Sequence, residues 1–277
     1  MQYQCPICHH SLQLDNRVWR CSNHHQFDRA KEGYVNLMPV QHKKSKNPGD
    51  NQMMMQARRQ FLDAGYYQPL RDAIYSLLDK SLSDHQNTKR LLDIGCGEGY
   101  YTGFLADNLS SHHTVQVHGL DIAKGAIRAA AKRYPAASFC VASSHRLPFA
   151  DDSMDGVLRI YAPCKALELA RVIKSGGFIV AVTPAPQHLI QLKGLIYQTP
   201  QPHEDVEEQI EGFLCIQQQR LSYNLTLPGE QAVNLLQMTP FAWKASEQLL
   251  QQLAEIAEFH CEADFYIRLY QKSSITS

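Results

Sequence analysis

The stretch that decides the fold runs from Leu91 to Tyr101 and reads LLDIGCGEGYY. Four apolar-rich residues, 91–94, are followed by glycines at positions 95, 97 and 99, and a helical pattern begins near Tyr101. This order predicts a strand, a tight turn and a helix N-terminus. Because glycine has no Cβ, the backbone of such a turn can approach a ligand closely. The free N–H groups at the start of the helix favour anionic or polar ligand groups.

A second apolar run, residues 115–120, ends in Asp121. A carboxylate at the tip of the second strand can accept hydrogen bonds from both hydroxyls of a ribose, so a cofactor containing a nucleoside is expected. The spacing Gly95-x-Gly97-x-Gly99 differs from the dinucleotide pattern, and Glu98 would repel a pyrophosphate. The loop resembles the first motif of class I S-adenosylmethionine (SAM) methyltransferases, whose cofactor carries a cationic centre and an ammonium. The alternative is a glycine-rich turn in another α/β protein.

The region that follows alternates short apolar runs with helical patterns, which is typical of a parallel sheet. Further strands are predicted at 138–141, 156–160 and 178–183, with helices between them. Ligands of such sheets bind at the carboxyl ends of the strands, which brings the glycine loop, Asp121, Ser143 and Tyr161 to one crevice. Residues 214–227 and 261–270 read as a closing antiparallel pair, and residues 247–259 as a helix.

Cysteines and histidines are grouped near the N-terminus. Cys5 and Cys8 are two residues apart, and Cys21, His24 and His25 follow. Two such pairs supply four ligands for a tetrahedral zinc ion, and four protein ligands leave no open position for catalysis. We therefore expect a structural zinc held by Cys5, Cys8, Cys21 and His25, with His24 as the alternative fourth ligand. Because the N-terminal segment is short and can bury only a small core, we expect the bound metal to supply much of its folding free energy.

Residues 26–49 read as a linker with a basic patch at 42–46. Asp50 is a candidate N-cap for a helix ending near Asp63, and a second amphipathic helix is predicted at 68–82. We divide the chain into a zinc-binding module, a basic linker with two helices covering the cofactor site, and a methyltransferase domain, at residues 1–37, 38–88 and 89–277.

Charge and composition narrow the class of protein. The net charge is zero, but residues 1–199 carry 23 Lys and Arg against 16 Asp and Glu, whereas residues 200–277 carry 4 against 11. The basic part suits contact with phosphates, although such asymmetry also occurs in ordinary enzymes. There is no signal-peptide pattern and no apolar run of membrane-spanning length, and the eight cysteines read as reduced thiols or metal ligands. A cytoplasmic protein is expected.

Beyond these motifs, the chain resembles the bacterial 23S ribosomal RNA guanine-N1 methyltransferases almost end to end. The resemblance is carried by the cysteine and histidine spacing and by strings along the chain: AKEGYVNL at 30–37, PGD at 48–50, ARR at 57–59, FLDAG at 61–65, YQPLR at 67–71, VASSHRLPF at 141–149, RIYAPCK at 159–165 and QMTPFAW at 237–243. It implies a Rossmann-like, seven-stranded α/β sheet with a small N-terminal zinc-ribbon-like module. It is weaker at 80–90, 109–114 and 200–215.

The resemblance implies methylation of N1 of a guanine in a hairpin of 23S rRNA, with SAM as methyl donor, one structural zinc and a homodimer whose cleft holds the RNA. Carried over by position, the residues expected to contact SAM are Tyr67, the turn Gly97, Glu98, Gly99 and Tyr100, and His188. Gly95 and Asp121 join them from the arguments on the glycine loop and the second strand. The target base must be unpaired or flipped, and Tyr161 is a candidate stacking partner. The acceptor of the N1 proton stays unassigned. The alternatives are a small-molecule SAM methyltransferase and a non-enzymatic zinc-ribbon RNA-binding protein.

Overall fold

The computed structural model describes residues 3–39, 51–82 and 87–273. The basic patch at 42–46 and the expected N-cap Asp50 lie outside these residues. Within them the chain forms a three-stranded antiparallel sheet near the N-terminus and an eight-stranded sheet that carries the rest of the molecule. No helix of the described ranges is long and apolar enough to cross a bilayer.

The strands of the large sheet are β4 to β11. Their bounds are Val35–Asn36 (β4), Lys89–Ile94 (β5), Val115–Asp121 (β6), Ser138–Val141 (β7), Met154–Ile160 (β8), Ile173–Pro184 (β9), Phe213–Leu227 (β10) and Phe259–Lys272 (β11). Their spatial order is β10-β11-β9-β8-β5-β6-β7-β4, with β10 and β11 antiparallel to their neighbours. From β5 the chain builds outward through β6 and β7, then returns to place β8 on the other side of β5. This reversal opens a crevice at the carboxyl ends of β5 and β8.

The described residues form eight α-helices, several of which pack directly on this sheet. Their bounds are Gln52–Asp63 (α1), Gln68–Ser81 (α2), Tyr100–Leu109 (α3), Lys124–Arg133 (α4), Ala166–Val172 (α5), Ile190–Gly194 (α6), Gly229–Gln237 (α7) and Glu247–Glu255 (α8). The Asn51 side chain caps α1 by accepting a hydrogen bond from the Met54 N–H. The helix expected at 247–259 ends at Glu255, because Phe259 already pairs with Leu227 in the sheet.

The N-terminal ribbon consists of β1 (Gln13–Asp15), β2 (Val18–Arg20) and β3 (Gln26–Asp28). Interpreting residues 26–49 as a linker was wrong for their first part, since β3 completes this small sheet. Residues 35 and 36 form β4, which pairs with Cys140 and Val141 of β7. The methyltransferase region thus supplies the seven expected strands, and the N-terminal segment adds an eighth at the edge.

Aromatic packing joins the ribbon to the large sheet. The ring of Tyr3 lies 5.1 Å from that of Trp19 and 5.3 Å from that of Phe149, centroid to centroid, and all three residues are buried. Burial of aromatic side chains contributes much of the stability of a small interface. The ribbon therefore shares a core with the methyltransferase domain and is not held by the metal alone.

Candidate cofactor pocket and zinc site

Three thiols and one imidazole meet at one end of the ribbon. The Sγ atoms of Cys5, Cys8 and Cys21 and one ring nitrogen of His25 all lie within 4.8 Å of one another. His25 Nδ1 is 3.5 Å from Cys5 Sγ and 3.4 Å from Cys21 Sγ. Zinc–sulfur and zinc–nitrogen bonds of about 2.3 and 2.0 Å give tetrahedral edges of roughly 3.5–3.8 Å, so the cluster fits a structural zinc ion.

Two tight turns bring these ligands together. His9 N–H donates to the Cys5 carbonyl, and His24 N–H donates to the Cys21 carbonyl, at 2.9 and 3.0 Å. Both histidines adopt positive φ, at which the chain turns sharply. His24 is exposed, whereas His25 turns its ring toward the thiols. The choice between the two histidines, open from the sequence, falls on His25.

A cavity of about 660 Å³ lies at the carboxyl ends of β5, β6 and β8. This volume is within the range of small-molecule sites. Seven of the eight residues expected at the cofactor line it: Tyr67, Gly95, Gly97, Glu98, Tyr100, Asp121 and His188. Gly99 does not line it. A Cβ there would lie 3.1 Å from atoms of Ala130, Phe139 and Tyr134, so Gly99 shapes the turn from behind.

Asp121 is held by the backbone of two loops. Its Oδ2 accepts a hydrogen bond from Gly97 N–H at 2.9 Å, and its Oδ1 accepts one from Ala123 N–H at 2.8 Å. Each carboxylate oxygen has further lone pairs and can accept a ligand hydroxyl. The loop after β7, with Ala142 and Ser143, also lines the cavity, and the Ala142 N–H donates to the Asp121 carbonyl at 3.1 Å.

Asp93 is a pocket residue that we did not select from the sequence. It is buried at the end of β5 and accepts a hydrogen bond from the Thr102 hydroxyl at 2.6 Å. Burial raises the pKa of its carboxyl to about 7, opposed by the Thr102 hydrogen bond and assisted by the charge of Asp121. An aspartate inside an otherwise apolar strand was the signal that could have identified it.

Glu98 is already engaged by a cation of the protein. The guanidinium of Arg59, on α1, donates to both carboxylate oxygens of Glu98. The sequence suggested that Glu98 balances the positive charge of SAM. The structure shows that this carboxylate is shared with Arg59, and that the pair joins α1 to the glycine loop.

Tyr161 and His188, which both line the cavity, form a polar contact. His188 Nδ1 accepts a hydrogen bond from Asp264 N–H at 3.2 Å, so its Nε2 carries the proton and donates to the Tyr161 hydroxyl, 3.4 Å away. Burial lowers the pKa of His188 to about 3, with a further contribution from His203. His188 is therefore a neutral donor. Asp264 is itself buried and accepts two hydrogen bonds from Arg220.

Comparison with known proteins decides the family. The model described as "RlmA, N-terminal" matches residues 3–46, and that described as "Methyltransferase domain" matches residues 91–177. A Streptomyces fradiae protein named 23S rRNA (guanine(748)-N(1))-methyltransferase is 31% identical over 93% of this chain and 91% of its own length. The chain belongs to the 23S rRNA (guanine-N1)-methyltransferase family. YxjB of Bacillus subtilis, named a putative 23S rRNA (guanine-N(1)-)-methyltransferase, is 30% identical to the chain described here. The similarity covers 98% of this chain and 97% of YxjB.

Relatives outside the family match a smaller share of the chain. The malonyl-[acyl-carrier protein] O-methyltransferase of Halorhodospira halophila is 31% identical over 53% of this chain and 55% of its own length. Similarity to the 23S rRNA (guanine-N1)-methyltransferases, in contrast, extends over the whole chain and includes the zinc ribbon.

Other elements complete the pocket of this family member. Arg58 on α1 donates a hydrogen bond to the Met238 carbonyl at 3.3 Å, and Met238 and Phe241 form part of the wall. Lys193 and His203 line the end that also contains Tyr161. Arg58 lies in the family string at 57–59, and Met238 and Phe241 lie in that at 237–243, whereas Lys193 and His203 lie in segments without a local motif. Sequence reasoning therefore missed Lys193 and His203.

Proposed function

We propose that this protein transfers a methyl group from SAM to N1 of a guanine in a hairpin loop of 23S rRNA. The observation that carries the proposal is the similarity to named 23S rRNA methyltransferases over more than nine tenths of both chains, zinc ribbon included. We further propose that it acts as a homodimer in the cytoplasm, with the ribbon gripping the RNA.

The pocket offers groups suited to each part of SAM. Asp121 would take the ribose hydroxyls, and residues 95–100 would pack their backbone against the cofactor, with Gly99 holding the turn. Tyr67 and His188 would lie beside its methionine portion, near the Arg59–Glu98 pair. The Tyr100 hydroxyl is buried, lines the cavity and has no hydrogen-bond partner among the described residues, as expected of a group that awaits a ligand.

When bound, SAM supplies a methyl group on a positively charged sulfur for in-line transfer. The protein must then hold guanine N1 about 3–3.5 Å from that methyl group and exclude water. Tyr161 is the residue that we place against the base. It follows β8, its φ is +56°, and 47% of its surface is exposed toward the cavity side of the molecule. Ala162 and Pro163 complete this wall of the cavity.

An exposed aromatic and basic group lies next to the pocket entrance. Trp243 is 79% exposed and lies two residues after the pocket residue Phe241. The Lys244 ammonium lies 5.2 Å from the Trp243 ring and 4.5 Å from the Tyr197 ring. Stacking surfaces beside positive charge are typical of single-stranded nucleic acid binding. We propose that Trp243 stacks on a loop nucleotide that neighbours the target guanine.

The test is methyl incorporation from labelled SAM into unmodified 23S rRNA, followed by mapping of reverse-transcriptase stops. N1-methylguanine does not pair normally, so a stop at one guanine in a hairpin loop would support the reaction and its target. Labelling without a stop would refute methylation at N1. Labelling of a metabolite extract but not of RNA would favour the small-molecule methyltransferase.

The full chain is needed for this test. Removal of residues 1–49 would also remove β4 from the sheet edge and Tyr3 from Phe149. A truncated protein could therefore lose activity through damage to the methyltransferase domain, which would not report on RNA binding.

A further inference from the structure

Methylation of guanine at N1 requires that a proton leave that nitrogen, because neutral guanine carries hydrogen there. Under the proposed function, the acceptor of this proton must be a group that lines the pocket. An effective general base must lie within reach of the proton and be unprotonated at working pH, with a free lone pair.

The carboxylates of the pocket are already committed. Asp121 accepts from two backbone N–H groups, Glu98 from Arg59, and Asp63 from Arg133. Asp93 is buried behind the Thr102 hydroxyl, and its raised pKa leaves much of it protonated near neutrality. The wall that we place against the base, Tyr161 to Pro163 (the base wall), carries no carboxylate.

Of the three pocket histidines, two are poorly placed or already bonded. His188 uses Nδ1 to accept from the Asp264 backbone and Nε2 to donate to Tyr161. His145 lies in the loop after β7, beside Ser143 on the cofactor side, and is exposed. His203 remains, and its ring makes no hydrogen bond to any described residue.

His203 stands third in a row of rings that leads from the base wall. Ring centroids are separated by 6.1 Å between Tyr161 and His188 and by 6.1 Å between His188 and His203. The backbone N–H of His203 donates to the Pro186 carbonyl at 3.0 Å, which holds the residue beside His188. The side chain is half-buried and lines the cavity.

The loop that carries His203 is fastened to the sheet, although it has no regular secondary structure. Further along it, buried Arg159 pairs with Glu208 at 2.6 Å, and the Tyr270 hydroxyl donates to the Glu208 carbonyl at 2.8 Å. On the other side of His203, the Lys193 ammonium donates to the Gln201 carbonyl at 3.3 Å. Such anchoring gives a catalytic side chain a defined position.

The charges around His203 favour its neutral form. Burial and the ammonium of Lys193 on α6 lower its pKa below the usual histidine value, and Asp264 on β11 opposes them. The neighbouring His188 is neutral and Tyr161 is uncharged at neutral pH. His203 is therefore deprotonated near neutrality, with one ring nitrogen free to accept.

We propose that His203 is the general base of the reaction. As the N1–methyl bond forms and the sulfur–methyl bond breaks, the N1–H bond breaks and its proton passes to the free ring nitrogen of His203. The resulting imidazolium then releases the proton to solvent. The methylated guanine is neutral and the sulfonium becomes a neutral thioether, so the released proton carries the positive charge.

The test compares His203→Ala with the wild-type chain and with His112→Ala, a control at an exposed histidine remote from the pocket. SAM affinity is measured by calorimetry and RNA affinity by fluorescence, and both are expected to stay within about threefold of wild type. The single-turnover methylation rate is expected to fall by roughly 10²–10⁴-fold in His203→Ala only. Added imidazole should restore part of that rate.

Two further readouts separate a base from a structural residue. The wild-type rate should rise with pH through a pKa below 6.5, and this rise should vanish in His203→Ala. Histidine NMR of the protein without substrates, assigned by the signal missing in His203→Ala, should show the same lowered pKa independently of activity.

A single-turnover methylation rate within about threefold of wild type in His203→Ala would overturn the proposal. So would a rate of this variant that still rises with pH through a pKa below 6.5, or a lack of rescue by imidazole. Failure of the wild-type chain to produce N1-methylguanine in 23S rRNA would overturn the proposed function itself, and the role of His203 with it.

Discussion

The glycine loop allows stability and cofactor binding to be perturbed separately. Gly95 and Gly97 both have positive φ, at +73° and +54°, so alanine at either position costs roughly 1–2 kcal/mol of backbone strain. The space beside them differs. A Cβ on Gly95 would lie 2.8 Å from Ala162 Cβ, whereas a Cβ on Gly97 would meet nothing within 4 Å.

The two substitutions are therefore expected to fail in different ways. Gly95→Ala adds overpacking, about 1–3 kcal/mol, and should lower the free energy of unfolding by roughly 2–5 kcal/mol in total. Gly97→Ala should lower it by only about 1–2 kcal/mol. Because Gly97 lines the cavity, its added methyl group would occupy cofactor space, and we expect a loss of SAM affinity of about tenfold or more, roughly 1.4 kcal/mol.

Gly176 provides the matched control. Its φ is +72°, a Cβ there would also meet nothing within 4 Å, and it lies outside the cavity, exposed in the irregular first part of β9. Gly176→Ala should share the strain cost of Gly97→Ala and leave SAM affinity unchanged. The measurements are urea unfolding and calorimetric titration with SAM. Wild-type affinity in Gly97→Ala, or an equal loss of affinity in Gly176→Ala, would refute the placement of the cofactor against this loop.

Three other predictions concern the metal, the core and the RNA surface. His25→Ala should abolish the binding of one zinc ion per chain, measured with a colorimetric chelator, whereas His24→Ala should retain it. The reverse result would make His24 the fourth ligand. His118 is buried, neither of its ring nitrogens has a hydrogen-bond partner within the described part of the chain, and burial lowers its pKa to about 4. In the unfolded chain the pKa of this imidazole is near 6.5, so the free energy of unfolding should fall by about 3 kcal/mol as the pH falls from about 6.5 toward 4. Urea unfolding of His118→Leu should show a weaker dependence on pH. The same pH dependence in His118→Leu as in the wild type would contradict this. Of the two tryptophans, Trp19 is buried and Trp243 is exposed. RNA should therefore quench tryptophan fluorescence in the wild type but not in Trp243→Phe, and Trp243→Ala should weaken RNA binding by about 1–3 kcal/mol. Quenching that persists in Trp243→Phe would exclude stacking on Trp243.

Much of the fold was predictable because its signals are local. The apolar runs before Gly95 and Asp121 became β5 and β6, and the strand expected at 138–141 has those bounds in the structure. The cysteine spacing predicted the three thiol ligands of the cluster. The cofactor residues expected from the family resemblance, Gly99 excepted, line one cavity.

Other features had no local signal. The two residues of β4 are too few for a periodic pattern, and they are a strand only because the edge of β7 offers them hydrogen bonds. Glu98 reads as free in the sequence, since its partner Arg59 lies 39 residues earlier on a different element. The helix predicted at 247–259 was too long at its C-terminal end, because pairing of Phe259 in the sheet outweighed the amphipathic pattern.

Local patterns in the sequence thus predicted most of the strands and helices from residue 89 onward, the glycine loop and the three thiols of the candidate zinc site. These follow from burial periodicity and residue spacing within windows of a few residues. Only the folded chain shows that the His25 ring lies among the three thiols, that the ribbon shares a core with the methyltransferase domain, and that His203 lies in the pocket beside His188. Those results depend on where distant segments meet, which is set by packing of the whole chain.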